Sequence, residues 1–285
     1  MLVRRLFFCF LAVLLTAGSV LAAPPPGYDW VETLREDCKG TSLDPSVWKL
    51  SNDTWNKILS VRDPRNVVLK GDGICRLLYK STPLQDKPWS SGGMVSEGFQ
   101  QVYGYFEVHM KYAAATGAHQ SFWIIKQSPN DAASRFEIDI NEGEYPGKVS
   151  ANLHQALPQG IPVAPAKSLN MGVDLSADYH SYGLLWLPDP KSGAKLTWFM
   201  DGKPFHSLEC ARCTSPAPLL LTGAVVSWAR PTPALDGMET HIKNLRVYQL
   251  RDIVLHGVGA YQKPSRLLKN AEAVIARSGA TWQSR

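Results

Sequence analysis

The chain has 285 residues, 45% of them hydrophobic and 19% charged, with a formal net charge of +5. That balance is ordinary for a globular protein and excludes a disordered or fibrous one. No basic run interleaves with aromatics, so nucleic acid is not an expected partner.

The chain opens with Arg4 and Arg5, then the apolar run LFFCFLAVLLTAG, then the small residues SVLAA. This reads as a secretory signal over residues 1–23, cut after Ala22 or Ala23. A retained anchor is the competing reading, but the apolar run is short for a bilayer span. Without Arg4 and Arg5 the net charge falls to +3. The expected protein is secreted or held in the periplasm or cell envelope, monomeric, with no stable membrane insertion after cleavage.

Beyond the signal stand Cys38, Cys75, Cys210 and Cys213. An even count in an exported chain points to disulfides. Three pairings are open; Cys38–Cys75 is favoured, with Cys210–Cys213 paired or free. The CARC tetrapeptide lacks the strand-then-helix setting of a redox site, and no second CxxC completes a zinc site.

After the Pro-rich lead-in APPPG, short aromatic and β-branched segments follow one another: NVVLKGDGICRLLYK, YGYFEVHMKY, SFWIIKQ, FEIDINE, YHSYGLLWLP, KLTWFMDGKPF and IKNLRVYQL. Turn signals such as GDG and MDGK join them as hairpins. The pattern predicts an all-β sandwich or barrel of one domain over residues 24–250, without repeats. Residues 251–285 read as a partly helical extension, with an amphipathic helix from Ser265 to about Gly279.

One strand is unusual. RFEIDINE, from Arg135 to Glu142, sets Glu137 and Asp139 on alternate positions among isoleucines. On a regular strand Glu142 points the other way. A β-bulge that absorbs one residue turns it to the same face, and bulges favour active sites. Asn141 is the expected bulge residue, because Asn tolerates unusual backbone angles. Paired carboxyl groups on one face suit retaining glycoside hydrolysis, where one attacks the anomeric carbon and the other protonates the leaving oxygen. A carboxylate between them raises a neighbour's pKa. A solvated acidic strand face fits the same spacing; a calcium site fits less well, since it needs oxygen ligands in a bend.

EIDINE resembles the E-x-D-x-x-E signature of glycoside hydrolase family 16. The flanks TSLDPSVWKL, SSGGMVSEGFQQVYGYFEVHMKY, SFWII, DYHSYGLLW, LTWFMDGKPF and HIKNLRVYQL resemble family segments in the family's order, over roughly residues 40 to 250. The resemblance implies a jelly-roll β-sandwich with a concave substrate cleft, and endo-acting, retaining hydrolysis of β-linked polysaccharide. It implies Glu137 as nucleophile, Glu142 as acid/base and Asp139 as support between them. The extra residue in the signature places the chain with the laminarinase-, agarase- and carrageenase-like branch.

Cleft candidates follow from sugar stacking on indoles: Trp123, Trp228 and, in a loop-like stretch, Trp89. His154 matches a histidine that the family places on the next strand, and Asn152 shares its side by period two. His180 matches a structural position, and Glu107 is either a cleft or a pairing residue. Two departures stand out. GAHQSFW replaces the lead-in G.WPAFW of laminarinases, which leans towards branches acting on galactans. Lys243 aligns with the acid that some members use for calcium, which argues against a structural calcium site; no other metal or cofactor is expected. The reading is a secreted endo-β-glycosidase acting on a β-glucan or galactan. A transglycosylase with the same pair, a carbohydrate-binding lectin on the same fold, and an envelope protein attached through its C-terminal helix are the alternatives.

Overall fold

The computed structural model describes residues 23–127, 134–155 and 167–256. The expected signal segment and the helix expected from Ser265 lie outside these residues.

Seventeen strands are present among the described residues: β1 (Trp30–Glu36), β2 (Lys49–Leu50), β3 (Ser60–Arg62), β4 (Val67–Leu69), β5 (Cys75–Leu78), β6 (Trp89–Ser91), β7 (Gly93–Val95), β8 (Gly104–Lys111), β9 (Ala118–Lys126), β10 (Phe136–Glu144), β11 (Lys148–Gln155), β12 (Lys167–Asn170), β13 (His180–Asp189), β14 (Gly193–Met200), β15 (Lys203–Cys210), β16 (Leu219–Val225) and β17 (Glu239–Leu250). One short helix, α1 (Arg251–His256), follows directly on β17.

Two large antiparallel sheets form a jelly-roll sandwich. The front sheet runs β12-β11-β10-β9-β16-β7-β2, and the back sheet runs β15-β14-β13-β8-β17-β5-β4 with β1 also paired to β17. Among the described residues only the small β3–β6 pair is parallel. The long-range order follows from period two. Phe122 and Ile124 on β9, Ile138 and Ile140 on β10, and Leu219 and Leu221 on β16 turn inward. They meet Phe106, Val108 and Met110 on β8, Leu184 and Trp186 on β13, and Trp198 on β14 in one buried core. Each such side chain contributes on the order of 1.5–3 kcal/mol by leaving water.

Local chemistry sets the corners. Asp201 and Gly202 both have positive φ, at 49° and 71°, which matches a hairpin turn whose twist suits β14 and β15. Cys38 bonds to Cys75, tying the end of β1 to β5, and Cys210 bonds to Cys213 at the end of β15. The back sheet carries a second apolar layer on its outer side: Tyr105, Leu185, Leu187, Phe199, Leu250 and Ile253, with Tyr28 and Trp30 packed on it. The front sheet leaves its outer face on β9, β10 and β11 for the site.

Candidate active site

Strand β10 lies between β9 and β11, and its register carries one irregularity. Asp139 faces Trp123 on β9 and Asn152 on β11. The next paired residues are Asn141 with Phe122 on β9 and Glu142 with Ser150 on β11. One residue has been absorbed at Ile140–Asn141. Both of these turn into the core and are fully buried. Glu137, Asp139, Glu142 and Glu144 thereby share the outer face.

The bulge is held from inside. The Tyr112 hydroxyl donates to Asn141 Oδ1 at 2.7 Å, and the Trp198 indole donates to the Asp139 carbonyl at 2.8 Å. Gly143 makes this possible, since a Cβ there would stand 2.1 Å from Tyr112 Cζ. Asn141 stands at the register shift, and its φ is not positive. Its side-chain amide also bonds within the core.

On the outer face, carboxylates and cations alternate. His119 Nε2 lies 2.9 Å from Glu142 Oε1, and its Nδ1 lies 3.8 Å from Glu144 Oε1. Asn152 donates its amide to the other oxygen of Glu142. His154 Nε2 stands 3.3 Å from Asp139 Oδ2, an ion-pair contact whose alignment falls short of a hydrogen bond. Lys148 Nζ and the Trp228 indole N–H reach Glu144 Oε1 at 2.8 and 3.2 Å.

These contacts set the charges. Burial, then the neighbouring Asp139 carboxylate, pushes Glu137 up to about 7. Burial also raises Asp139, to about 6, against the pull of His154. Burial works the same way on Glu142, but the His119 imidazolium outweighs it and holds the carboxyl below its usual range. Glu144 sits at about 2, lowered first by His119 and then, against burial, by Lys148. His119 is raised to about 9: burial opposes its charge, but the Glu142 and Glu144 carboxylates win. His154 also reaches about 9, through Asp139.

Open space borders Glu137. A groove of about 660 Å³ runs from Glu137 and Ile125 past Trp123 and Leu220 to Trp55 and Arg62. A smaller hollow of about 230 Å³ lies between Lys126, Arg135, Glu137 and His154. Trp123 is fixed by its indole N–H to Thr222 Oγ1 at 3.0 Å. Trp228 is 51% exposed, and its ring meets the His119 ring edge-on at 5.8 Å.

Trp123, Trp228, Asn152 and His154 therefore gather around the carboxylates. Trp89 does not. It starts β6 and packs with the apolar cluster of Tyr79, Ala118, Val225 and Leu235, so it is part of the body of the sandwich. Glu107 lies on β8 in the back sheet and takes the Tyr105 hydroxyl, a pairing role away from the groove. His180 pairs with Asp201 at 2.8 Å beside the β14–β15 turn. Lys243 lies 3.7 Å from the Tyr179 ring centroid. Residues that sequence reasoning missed are Glu144, His119, Lys148, Trp55 and Arg62. Glu144 is two residues past Glu142, on the same face by period two. His119 falls in the departure GAHQSFW. Trp55 and Arg62 belong to segments that only the fold brings to the groove.

Among the described residues, two clusters have the atoms for a metal. Glu137, Asp139 and His154 place ligand atoms within 4.8 Å of one another, as do Glu36, Cys38 and Cys75. In the first, His154 Nε2 faces Asp139 Oδ2 at 3.3 Å. Cys38 and Cys75 are spent in a disulfide.

Comparison with known proteins follows the same line. The chain is 27% identical over 127 residues to a glucan endo-1,3-beta-glucosidase of Cryptopygus antarcticus, covering 43% of this chain and 45% of the relative. It is 34% identical over 119 residues to a beta-glucanase of Acetivibrio thermocellus, covering 42% and 33%. The matched part thus spans less than half the length of these curated relatives. Among solved structures, the catalytic domain of a laminarinase from Thermotoga petrophila RKU-1 matches with a TM-score of 0.67 at 22% identity, over 79% of this chain and 100% of that one. An endo-beta-1,3-glucanase from Pyrococcus furiosus matches with a TM-score of 0.69 at 19% identity, over 80% and 97%. At these identities the likeness is one of fold. The family model for glycosyl hydrolases family 16 matches residues 52–222, the segment that carries the bulged acidic strand and both of its neighbours, and the chain belongs to that family.

Proposed function

We propose that this protein is an exported, retaining endo-β-glucan hydrolase of the E-x-D-x-x-E branch, with Glu137 as nucleophile and Glu142 as acid/base. The observation that carries this reading is the bulge at Ile140–Asn141, which brings Glu142 to the face of Glu137 and Asp139 beside a groove lined by Trp123. A Glu137 oxygen bonds to the anomeric carbon as the glycosidic C–O bond breaks, and Glu142 delivers a proton to the leaving oxygen. Glu142 then takes a proton from the water that displaces Glu137. Asp139, buried between them, holds its charge against His154 and keeps Glu137 a stronger base.

The names of the relatives, an endo-1,3-beta-glucosidase and a beta-glucanase, favour a β-glucan over a galactan as substrate. Against a lectin, nothing about binding alone calls for four acids whose charges are tuned in opposite directions. The test is release of reducing ends from laminarin and mixed-linkage β-glucan. Glu137→Gln and Glu142→Gln should each abolish release while polysaccharide binding persists, and NMR should show the β-anomer as first product of the wild type. A wild-type protein that binds these glucans and never cuts them is a lectin. An α-anomer appearing first would overturn the retaining assignment.

A further inference from the structure

In the structure the charge order is the reverse of what the two roles need: Glu137 holds its proton to about 7, and Glu142 has given its own up. A general acid without a proton needs a donor within reach. One is present. His119 Nε2 lies 2.9 Å from Glu142 Oε1, with its side chain only 15% exposed. Behind it stands Glu144, itself fixed by Lys148 and by the Trp228 indole. The Trp228 ring closes against the imidazole.

We propose that His119 is a positioning residue that stores the catalytic proton for Glu142, with Glu144 behind it keeping the imidazole charged. The inference rests on the reading of Glu137 and Glu142 as the catalytic pair. In the first step the Nε2 proton passes to Glu142 and from there to the glycosidic oxygen, as the C–O bond breaks and a Glu137 oxygen bonds to the anomeric carbon. His119 is left neutral. In the second step a water oxygen displaces Glu137, and the water's proton returns through Glu142 to His119. No other reactant enters.

The groups facing this pair account for its charge. On β10 they are Glu137, Asp139 and Glu144; on β11, His154 and Lys148; on β16, the neighbours of His119 and Ser121 are Ala224 and Thr222, which do not titrate here. Asn152 adds one neutral donor to Glu142. The pair as a whole loses its stored proton only where His119 does, at about 9. The pH profile of kcat/KM on glucan then has an acid limb near 7, where Glu137 must ionise, and an alkaline limb near 9, where His119 empties.

The test compares wild type, His119→Gln, Glu144→Gln and Glu142→Gln. Each is assayed on laminarin and on a dinitrophenyl β-glucoside oligomer, whose leaving group needs no acid. The expected result for His119→Gln is an alkaline limb on laminarin lowered by about one pH unit or more, and a loss of about 10²-fold at pH 8 that is much smaller on the activated glycoside. Glu144→Gln lowers the same limb by less, and it decides the matter should His119→Gln fail to fold. An alkaline limb that stays or rises in both variants overturns the storage role, since removing a mere neighbouring cation would raise the pKa of Glu142. Equal losses on both substrates make His119 structural, which also overturns it. Glu142→Gln separates the two claims: if it still cuts laminarin, the assignment of the pair fails, whatever His119 does.

Discussion

Strands β8 and β10 are spelled alike and meet different fates. Phe106-Glu107-Val108-His109-Met110 and Phe136-Glu137-Ile138-Asp139-Ile140 both alternate apolar with ionisable residues. Both lie inside their sheets, β8 between β13 and β17, β10 between β9 and β11. Their apolar residues enter the same core. What differs is the cover on the other face. Glu107 takes the Tyr105 hydroxyl, faces Arg246 across β17, and is 3% exposed beneath the second apolar layer. Glu137 borders a groove. The extra residue beside β8 belongs to β17, between Lys243 and Arg246, and leaves the order of β8 itself unbroken. In β10 it falls within the acidic strand and adds Glu142 and Glu144 to the exposed set. Alternation decides which side chains leave the core; the cover over them decides whether they meet a groove.

The comparison breaks or holds most visibly in a pair of isosteric changes. Glu137→Gln should lower kcat/KM on laminarin by about 10⁴-fold or more. The same change should raise the melting temperature, because it removes a carboxylate that pays for burial next to Asp139. Glu107→Gln should do the opposite. It alters the buried acceptor of the Tyr105 hydroxyl and costs on the order of 1–3 kcal/mol, with kcat/KM close to wild type. Thermal melts and initial rates on the same preparations check both. A Glu107→Gln protein that is stable but inactive would mean that the back sheet takes part in the reaction.

A smaller effect sharpens the role of the bulge. In Gly143→Ala the new methyl meets Tyr112 at 2.1 Å and forces the ring away from Asn141. Overpacking of this kind costs about 1–3 kcal/mol. It also shifts Glu142 relative to Glu137, and small displacements of a reacting group cost about 10²-fold in rate. Activity should therefore fall further than stability alone explains, measured as kcat well below the melting transition. Gly143→Ala with full kcat would show that Tyr112 packs under the strand without setting its register.

Much of this was legible in one dimension. Period two marked the strands, Asp201-Gly202 marked a hairpin, and the odd spacing between Asp139 and Glu142 marked the bulge before any pairing was known. What the sequence could not yield is register between strands. His119 is 23 residues from Glu142 along the chain and touches it only because β9 and β10 pair as they do. Glu144 lay within reach of the same alternation, once the bulge had been placed. Trp89 misled because a Pro-flanked stretch looks like a loop, whereas the parallel pairing of β6 with β3 draws the indole into the apolar cluster. Asn141 stands at the register shift, as its place in the signature suggested, and its side-chain amide is also bonded within the core.

The smallest predicted effect contrasts two tryptophans on the same principle of cover. Trp55 is 44% exposed, lines the groove with Glu137, and has the Arg62 guanidinium 4.9 Å from its ring centroid. Arg62 is in turn clamped by both oxygens of Asp53, at 2.5 and 3.0 Å. The guanidinium covers one indole face, and the ring lines the groove together with Arg62. A sugar ring stacked there is held equally in ground and transition states, so Trp55→Ala should raise KM on long glucans about 3- to 10-fold and leave kcat unchanged. Short oligomers that do not reach Trp55 should show no change. Trp89→Ala should leave KM alone and lower the melting temperature, since it empties space beside Tyr79 and Val225. If KM instead responds to Trp89 and not to Trp55, the sugar chain leaves Glu137 by a different route across the sheet, and the groove over Trp123 and Leu220 is not its path.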